Sequence, residues 1–297
     1  MMKKGLTRRQ KRENLAAYIL LSPQLVGYLV FVVFPIGFSM YLCFAQWNFI
    51  SNPEWVGLAN FKEVFTDYRF WKSITNTFVY IVAAVPLTLL TSLTLALLSN
   101  RKIFGLKIYR AAFFLPMVTS SVAISMVWFF IFEPNGGVLN SVLMILGVSS
   151  PPAWLQSTTW AKVAIVIVTC WLKMGYYYII FDAALKNIPK DLYEAADVEG
   201  ASFWQKIKSI TLPAISPVMF FIIVMLFIDI FNMFNEVYVM TGGGPDYSTY
   251  TMSMYIYNQA FSEFNMGTAA VASWVLFFII GIITIVQTIL KRKWVHE

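Results

Sequence analysis

Few residues in this 297-residue chain could do chemistry, and their types exclude most catalysis. The single histidine, His296, lies in the C-terminal tail, and Cys43 and Cys170 each sit inside an apolar run. Two isolated thiols give neither a disulfide framework nor a metal-ligand spacing, and packing is their natural role. No glycine-rich stretch carries the lysine that a phosphate-binding loop requires, so no ATP site is expected in this chain. Gly242-Gly243-Gly244-Pro245 reads as a tight turn. An intramembrane enzyme would need a nucleophile–base pair or a metal constellation, and the sequence offers neither.

What remains is a set of ionisable and amide side chains at membrane depth: Lys173 in one apolar run, and Asp229, Asn232 and Glu236 at the end of another. An ionisable group in a spanning helix costs roughly 2.5–3.5 kcal/mol on insertion scales, so it pairs or faces a polar cavity. Met225, Asp229, Asn232 and Glu236 recur at intervals of four, three and four, which places them on one face of a continuing helix. Lys173 is about 18 Å from Leu185 and Asp229 about 22 Å from Ala214, so the two sit at similar depth and could pair. That pair is open to two readings, a brace between helices or part of a solute path. Asn232 could likewise bond across helices. Tyr176, Tyr177 and Tyr178 offer aromatic faces, although Tyr177 and Tyr178 are expected to face lipid or neighbouring spans.

These side chains must be positioned by elements that cross a bilayer. The chain is 59% apolar and 12% charged, against roughly 45–50% and about 25% in soluble domains. Lipid must therefore solvate much of the surface. The net charge of +7 comes in short clusters between apolar runs, which argues for loops at a membrane surface and against a nucleic-acid partner. A span needs about 20 apolar residues. Six runs qualify: Leu15–Gln46, the stretches between Lys72 and Arg101, Arg110 and Glu133, Lys208 and Asp229, and Glu263 and Lys291, and Val163–Leu185. The run Pro134–Ala161 is broken by prolines and glycines, which leaves Val138–Val148 at only about 17 Å, too short to span.

The leader Lys3, Lys4, Arg8, Arg9, Lys11 and Arg12 resembles the start of a signal peptide. The apolar run behind it is far longer than a cleavable one of about 7–15 residues and reads as a retained helix. Basic residues divide seventeen to four in favour of the leader's side, which predicts cytoplasmic termini. Trp47, Trp71 and Trp160 then mark outer membrane edges, and Tyr109 and Trp294 inner ones. The expected fold is an all-α membrane protein of six transmembrane helices. It comprises a basic leader (1–14), one transmembrane domain (15–297) and a cytoplasmic loop at 186–213.

That loop is the most informative segment. Pro189 can open a first short helix containing Glu194-Ala195-Ala196, and Gly200 can end it in a left-handed conformation. Ser202 and Gln205 have the spacing of a capping box for a second helix, which Pro213 should punctuate. Small alanines beside a carboxylate suit docking into a groove.

Glu194-Ala195-Ala196, then Gly200, then Ile210, Leu212 and Pro213 resemble the signature loop of the permeases of binding-protein-dependent ABC importers. Glu199 stands where aspartate is more usual. Phe114-Leu115-Pro116, Leu192-Tyr193-Glu194 and Thr241-Gly242-Gly243-Gly244-Pro245 extend the likeness along the chain. They point to the carbohydrate-uptake branch, which includes permeases for maltose and for glycerol phosphate. The large outer insertion of the maltose permease is absent here.

The resemblance implies the ABC importer permease fold and a coupling helix, with Glu194, Ala195, Ala196 and Gly200 docking on a cytoplasmic ATPase. It implies a second homologous permease subunit, two ATP-binding subunits that carry ATP and magnesium, and an extracytoplasmic solute-binding protein. It places the multi-pass chain in a prokaryotic cytoplasmic membrane and makes it non-catalytic, with a sugar or oligosaccharide as solute. The family's sugar-contacting positions fall on Ser121, Tyr176, Asp229 and Asn232, the last two across a one-residue gap after Pro213. A phosphorylated polyol is the alternative solute. An ion-coupled secondary transporter using Lys173, Asp229 and Glu236 as a proton relay is the rival class, one with no use for a coupling helix.

Overall fold

The computed structural model describes residues 7–100 and 106–292. Lys3, Lys4, Arg101, Lys102, Lys293, Trp294 and His296 lie outside the described residues. The first span is α1 (Arg8–Tyr28), a π-turn (Leu29–Val33) and α2 (Phe34–Leu42). A two-residue antiparallel ladder, β1 (Ala45–Gln46) with β2 (Glu54–Trp55), leads to the short α3 (Ala59–Thr66) and the long α4 (Tyr68–Ser99). Then come α5 (Leu106–Val118), α6 (Ser121–Ile131), α7 (Val138–Ile145) and α8 (Trp160–Lys186). After α9 (Lys190–Val198), α10 (Phe203–Lys206) passes through a π-turn (Ile207–Thr211) into α11 (Leu212–Phe231). The chain closes with α12 (Asn235–Met240), α13 (Met252–Tyr257), a π-turn (Asn258–Ser262) and α14 (Met266–Lys291).

Among the described residues, five helices are long and apolar enough to cross a membrane: Arg12–Leu42, Tyr68–Ser99, Trp160–Lys186, Phe203–Phe231 and Met266–Lys291. The sixth expected span, between Arg110 and Glu133, is a bent pair and not one straight helix. Ala111–Val118 and Ser121–Ile131 meet at 112°. Pro116 withholds a backbone donor, and Ser120 adopts an extended backbone with ψ near 125°, so the helical ladder stops and restarts. The run Val138–Val148 forms only the eight-residue α7, in keeping with its exclusion as a span.

Helices α4 and α8 make the most extensive pair. They run in the same direction, since Ser92 Oγ donates to the Met174 carbonyl (3.1 Å) and Ser99 Oγ to Asp182 (3.3 Å). The packed face of α4 is Ala84, Thr88, Ser92, Ala96 and Ser99, all buried, and such small side chains let two backbones approach closely. Helix α8 in turn buries Ala164, Ile165, Val168, Leu172 and Phe181. On the other flank of α8, a Cβ added to Gly175 would lie 1.9 Å from the Phe113 carbonyl oxygen, so only glycine lets α5 seat there.

At the end where α4 begins, Arg69 pairs with Asp67 (2.9 Å) and with Glu263, tying α4 to the segment before α14. Tyr255 donates to Asp67 at 3.2 Å. Burial pushes the Tyr250 phenol up to about 12, and it accepts a hydrogen bond from Asn258 (2.7 Å). Cys43 and Cys170 are buried, free thiols.

Candidate functional site

A cavity of about 430 Å³ opens beside the midpoint of α8. Its walls are the bend between α5 and α6 (Pro116, Met117, Thr119, Ser121), α8 (Thr169, Leu172, Lys173, Tyr176, Tyr177), α11 (Met225, Asp229) and the following segment (Asn232 to Glu236). Irregular backbone at membrane depth is tolerated only where it is covered by protein or lines a water-filled space. Here both interruptions, at Thr119–Ser120 and at Asn232–Phe234, lie against the same cavity. Asn235 Nδ2 donates to Ser121 Oγ (2.9 Å), holding the two interrupted segments together.

The proximity of Lys173 and Asp229 inferred from their depths is realised as an ion pair of 3.2 Å between half-buried groups. Tyr177, expected to face lipid or neighbouring spans, meets the neighbouring span α11, donating its hydroxyl to the same Asp229 oxygen at 2.8 Å. Its phenol lies on the Lys173 side of α8, four residues on, where i and i+4 share a face. That spacing was the signal available in the sequence for its role. Tyr178 is buried within the bundle, and Tyr176, half-buried, meets Tyr177 edge to face with centroids 5.1 Å apart.

The expectation that Met225, Asp229, Asn232 and Glu236 ride one continuous helix is not met. Helix α11 ends at Phe231, Asn232 is its C-cap, and Glu236 belongs to α12. All four nevertheless line the cavity, because the chain turns around it. Asn232 Nδ2 is bonded back to the Ile228 carbonyl (2.8 Å), not across to another helix. Ser121 and Tyr176 are also wall residues. Asn235, Thr119 and Phe234 are among the further wall residues that were not singled out from sequence; they lie at or beside helix breaks that no periodicity announces.

The second candidate region is the helix pair after α8. Pro189 caps α9, and Gly200 follows it at φ +73°, the left-handed region that glycine enters without strain. Its N–H donates to the Asp197 carbonyl (3.1 Å) and that of Ala201 to Ala196 (2.9 Å). The capping box forms: Gln205 N donates to Ser202 Oγ (3.4 Å) and Ser202 N to Gln205 Oε1 (2.7 Å). Pro213, expected to punctuate the second helix, does not end it. Helical structure runs unbroken from Phe203 to Phe231. The π-turn lets the Leu212 N–H reach back five residues to Ile207, while Pro213 sits in the first turn of α11, where a missing donor is tolerated. Lys206 pairs with Asp197, and Tyr193 and Thr211 share a hydrogen bond of 2.9 Å, so α9 is fastened to the foot of α11. Glu194, Ala195 and Gly200 are exposed and Ala196 half-buried. Val198 and Trp204 are 90% and 74% exposed.

Apolar spans wrapped around a polar cavity, with a short exposed helix pair fastened to the foot of one of them, define a membrane transport subunit. The chain belongs to the family of binding-protein-dependent transport system inner membrane components, whose model matches residues 67–296. It is the permease subunit of an ABC importer, not a catalytic chain. It is 39% identical over 290 residues to the "Probable ABC transporter permease protein YesP" of Bacillus subtilis (strain 168), covering 96% of this chain and 93% of that one. It is 32% identical to the lactose transport system permease protein LacF of Rhizobium radiobacter, with 93% and 94% covered. Its fold matches the crystal structure of a bacterial ABC transporter involved in the import of the acidic polysaccharide alginate. The TM-score there is 0.82, with 23% identity and coverage of 95% and 96%.

Proposed function

We propose that this chain forms one half of a paired permease that passes a carbohydrate, delivered by an external solute-binding protein, across a prokaryotic cytoplasmic membrane. The cavity carries the proposal. A sugar site wants ring faces for C–H surfaces and hydroxyl, amide or carboxylate groups for its own hydroxyls. Tyr176, Tyr177 and Phe234 supply the first, and Ser121, Asn232 and Asn235 the second. Relatives named for lactose and for trehalose and maltose support the solute class.

The transmembrane unit is residues 15–297, both termini cytoplasmic, with 186–213 as the coupling segment. Glu194, Ala195, Ala196 and Gly200 then meet an ATPase subunit, and bare Val198 and Trp204 are apolar surface for that contact. Two such ATPases, one per permease, would carry the nucleotide and magnesium. The second permease is supported by the first span, whose apolar window is wholly unburied within this chain. ATP and the loaded binding protein each favour one state of a bistable bundle, and α11 links both sites. The test is uptake by the assembled importer in proteoliposomes. Asn232→Ala should reduce solute transport at least several-fold with the complex intact, and unchanged kinetics would remove the cavity from the path.

A further inference from the structure

Among the described residues, Glu236 is the one acidic or basic group on the cavity wall without a side-chain partner. It is only 6% exposed, it lines the cavity, and among the described residues it has neither an ion pair nor a hydrogen bond. The other two acidic or basic groups on the wall, Lys173 and Asp229, cancel each other in their ion pair, with Tyr177 donating to the same carboxylate. The helix ends that meet the cavity oppose one another, since α6 presents its positive N-terminal end and α11 its negative C-terminal end. Glu236 itself occupies the first turn of α12, a position where the helix dipole favours an acidic side chain.

We infer that Glu236 sets a net negative potential in the cavity and makes it reject anionic solutes while accepting uncharged, hydroxyl-rich ones. This rests on the reading of the cavity as the solute site. One unit charge acting over about 10 Å at an effective dielectric of about 20 changes the local concentration of a monovalent ion roughly tenfold. A neutral saccharide meets no such penalty. Its hydroxyls can donate to the Glu236 carboxylate, and hydrogen bonds to an ionised acceptor are roughly twice as strong as neutral ones. Phosphorylated polyols and uronate oligosaccharides are thereby disfavoured. The alginate transporter that shares this fold is described as importing an acidic polysaccharide, so the sign of the cavity charge would divide solutes between like folds.

The experiment reads the potential directly. Thr119→Cys places one thiol on the cavity wall of a chain carrying Cys43→Ala and Cys170→Ala, assembled into the importer. Its reaction rates with an anionic and a cationic methanethiosulfonate reagent of similar size are measured and normalised to the same ratio on a small free thiol. With Glu236 the normalised ratio should favour the cation at least about tenfold, Glu236→Gln should remove most of that bias, and Glu236→Lys should reverse it. A ratio near that of the free thiol, one favouring the anion, or one indifferent to Glu236→Gln overturns the inference and leaves the cavity as a path. A thiol that neither reagent reaches overturns the cavity reading itself, and this inference with it.

Discussion

The Tyr193 hydroxyl and the Thr211 hydroxyl lie 2.9 Å apart, joining the helix that bears Glu194-Ala195-Ala196 to the π-turn from which α11 rises. Together with the Lys206–Asp197 ion pair, this contact makes α9 and the foot of α11 one body. A push on α9 therefore reaches the span that carries Asp229 without crossing a flexible linker. Tyr193→Phe removes only the hydroxyl. A hydrogen bond of this kind contributes about 0.5–1.5 kcal/mol net. The expected outcome is an assembled importer with two- to tenfold fewer solute molecules moved per ATP hydrolysed, measured in proteoliposomes. An unchanged ratio would show that the contact carries no motion.

Gly200 separates a conformational requirement from a steric one. At φ +73° it has open space where a Cβ would stand. Gly200→Ala should then cost about 1–2 kcal/mol of local strain and leave much of the transport. Proline is fixed near φ −65° and cannot enter this conformation. Gly200→Pro should insert normally yet fail to co-purify with the ATPase subunits. Full uptake by that variant would count heavily against the docking role.

Gly175 poses the converse case. Its added Cβ would collide with the Phe113 carbonyl oxygen, so Gly175→Ala must push α5 from α8. Overpacking of this kind costs about 1–3 kcal/mol. The melting temperature in detergent should fall, and solute transport should fall with it because Pro116, Met117 and Thr119 line the cavity. Wild-type melting would mean that the two helices separate freely.

The Lys173–Asp229 pair is best addressed by a double-mutant cycle. Asp229→Asn leaves a half-buried lysine unpaired, and Lys173→Met leaves the carboxylate without its cation. Each single change should destabilise the bundle by about 1–2 kcal/mol, less than for a fully buried pair because both groups keep partial access to water. The double variant should recover part of that loss while uptake stays impaired. Additive stabilities would show that the two charges do not interact.

The spans were legible because lipid leaves a long, charge-free signature, and the helix pair after α8 because proline, glycine and a capping box fix local geometry. The Lys173–Asp229 contact followed from depth alone. The bend at Thr119–Ser120 and the early end of α11 were hidden, since an apolar run reads the same whether its helix is straight or broken. Helical periodicity carried past Asn232 thus gave Glu236 the wrong helix, although the turn of the chain still leaves it on the same cavity wall as Asp229. That Tyr177 would face a neighbouring span was foreseen, but its hydrogen bond to Asp229 was not, because three consecutive tyrosines spread over much of the circumference of α8. Its i+4 relation to Lys173 was the discriminating clue.

The unbroken rod from Phe203 to Phe231 turns a small rotation into a large displacement. Asp229 stands about 39 Å along that rod from Phe203. A tilt of about ten degrees pivoting at the Phe203 end would sweep the carboxylate sideways by roughly 7 Å, comparable to the width of a sugar ring. The same lever works in reverse, so a sideways push on Asp229 would be felt as torque at the Phe203 end, where α9 is fastened.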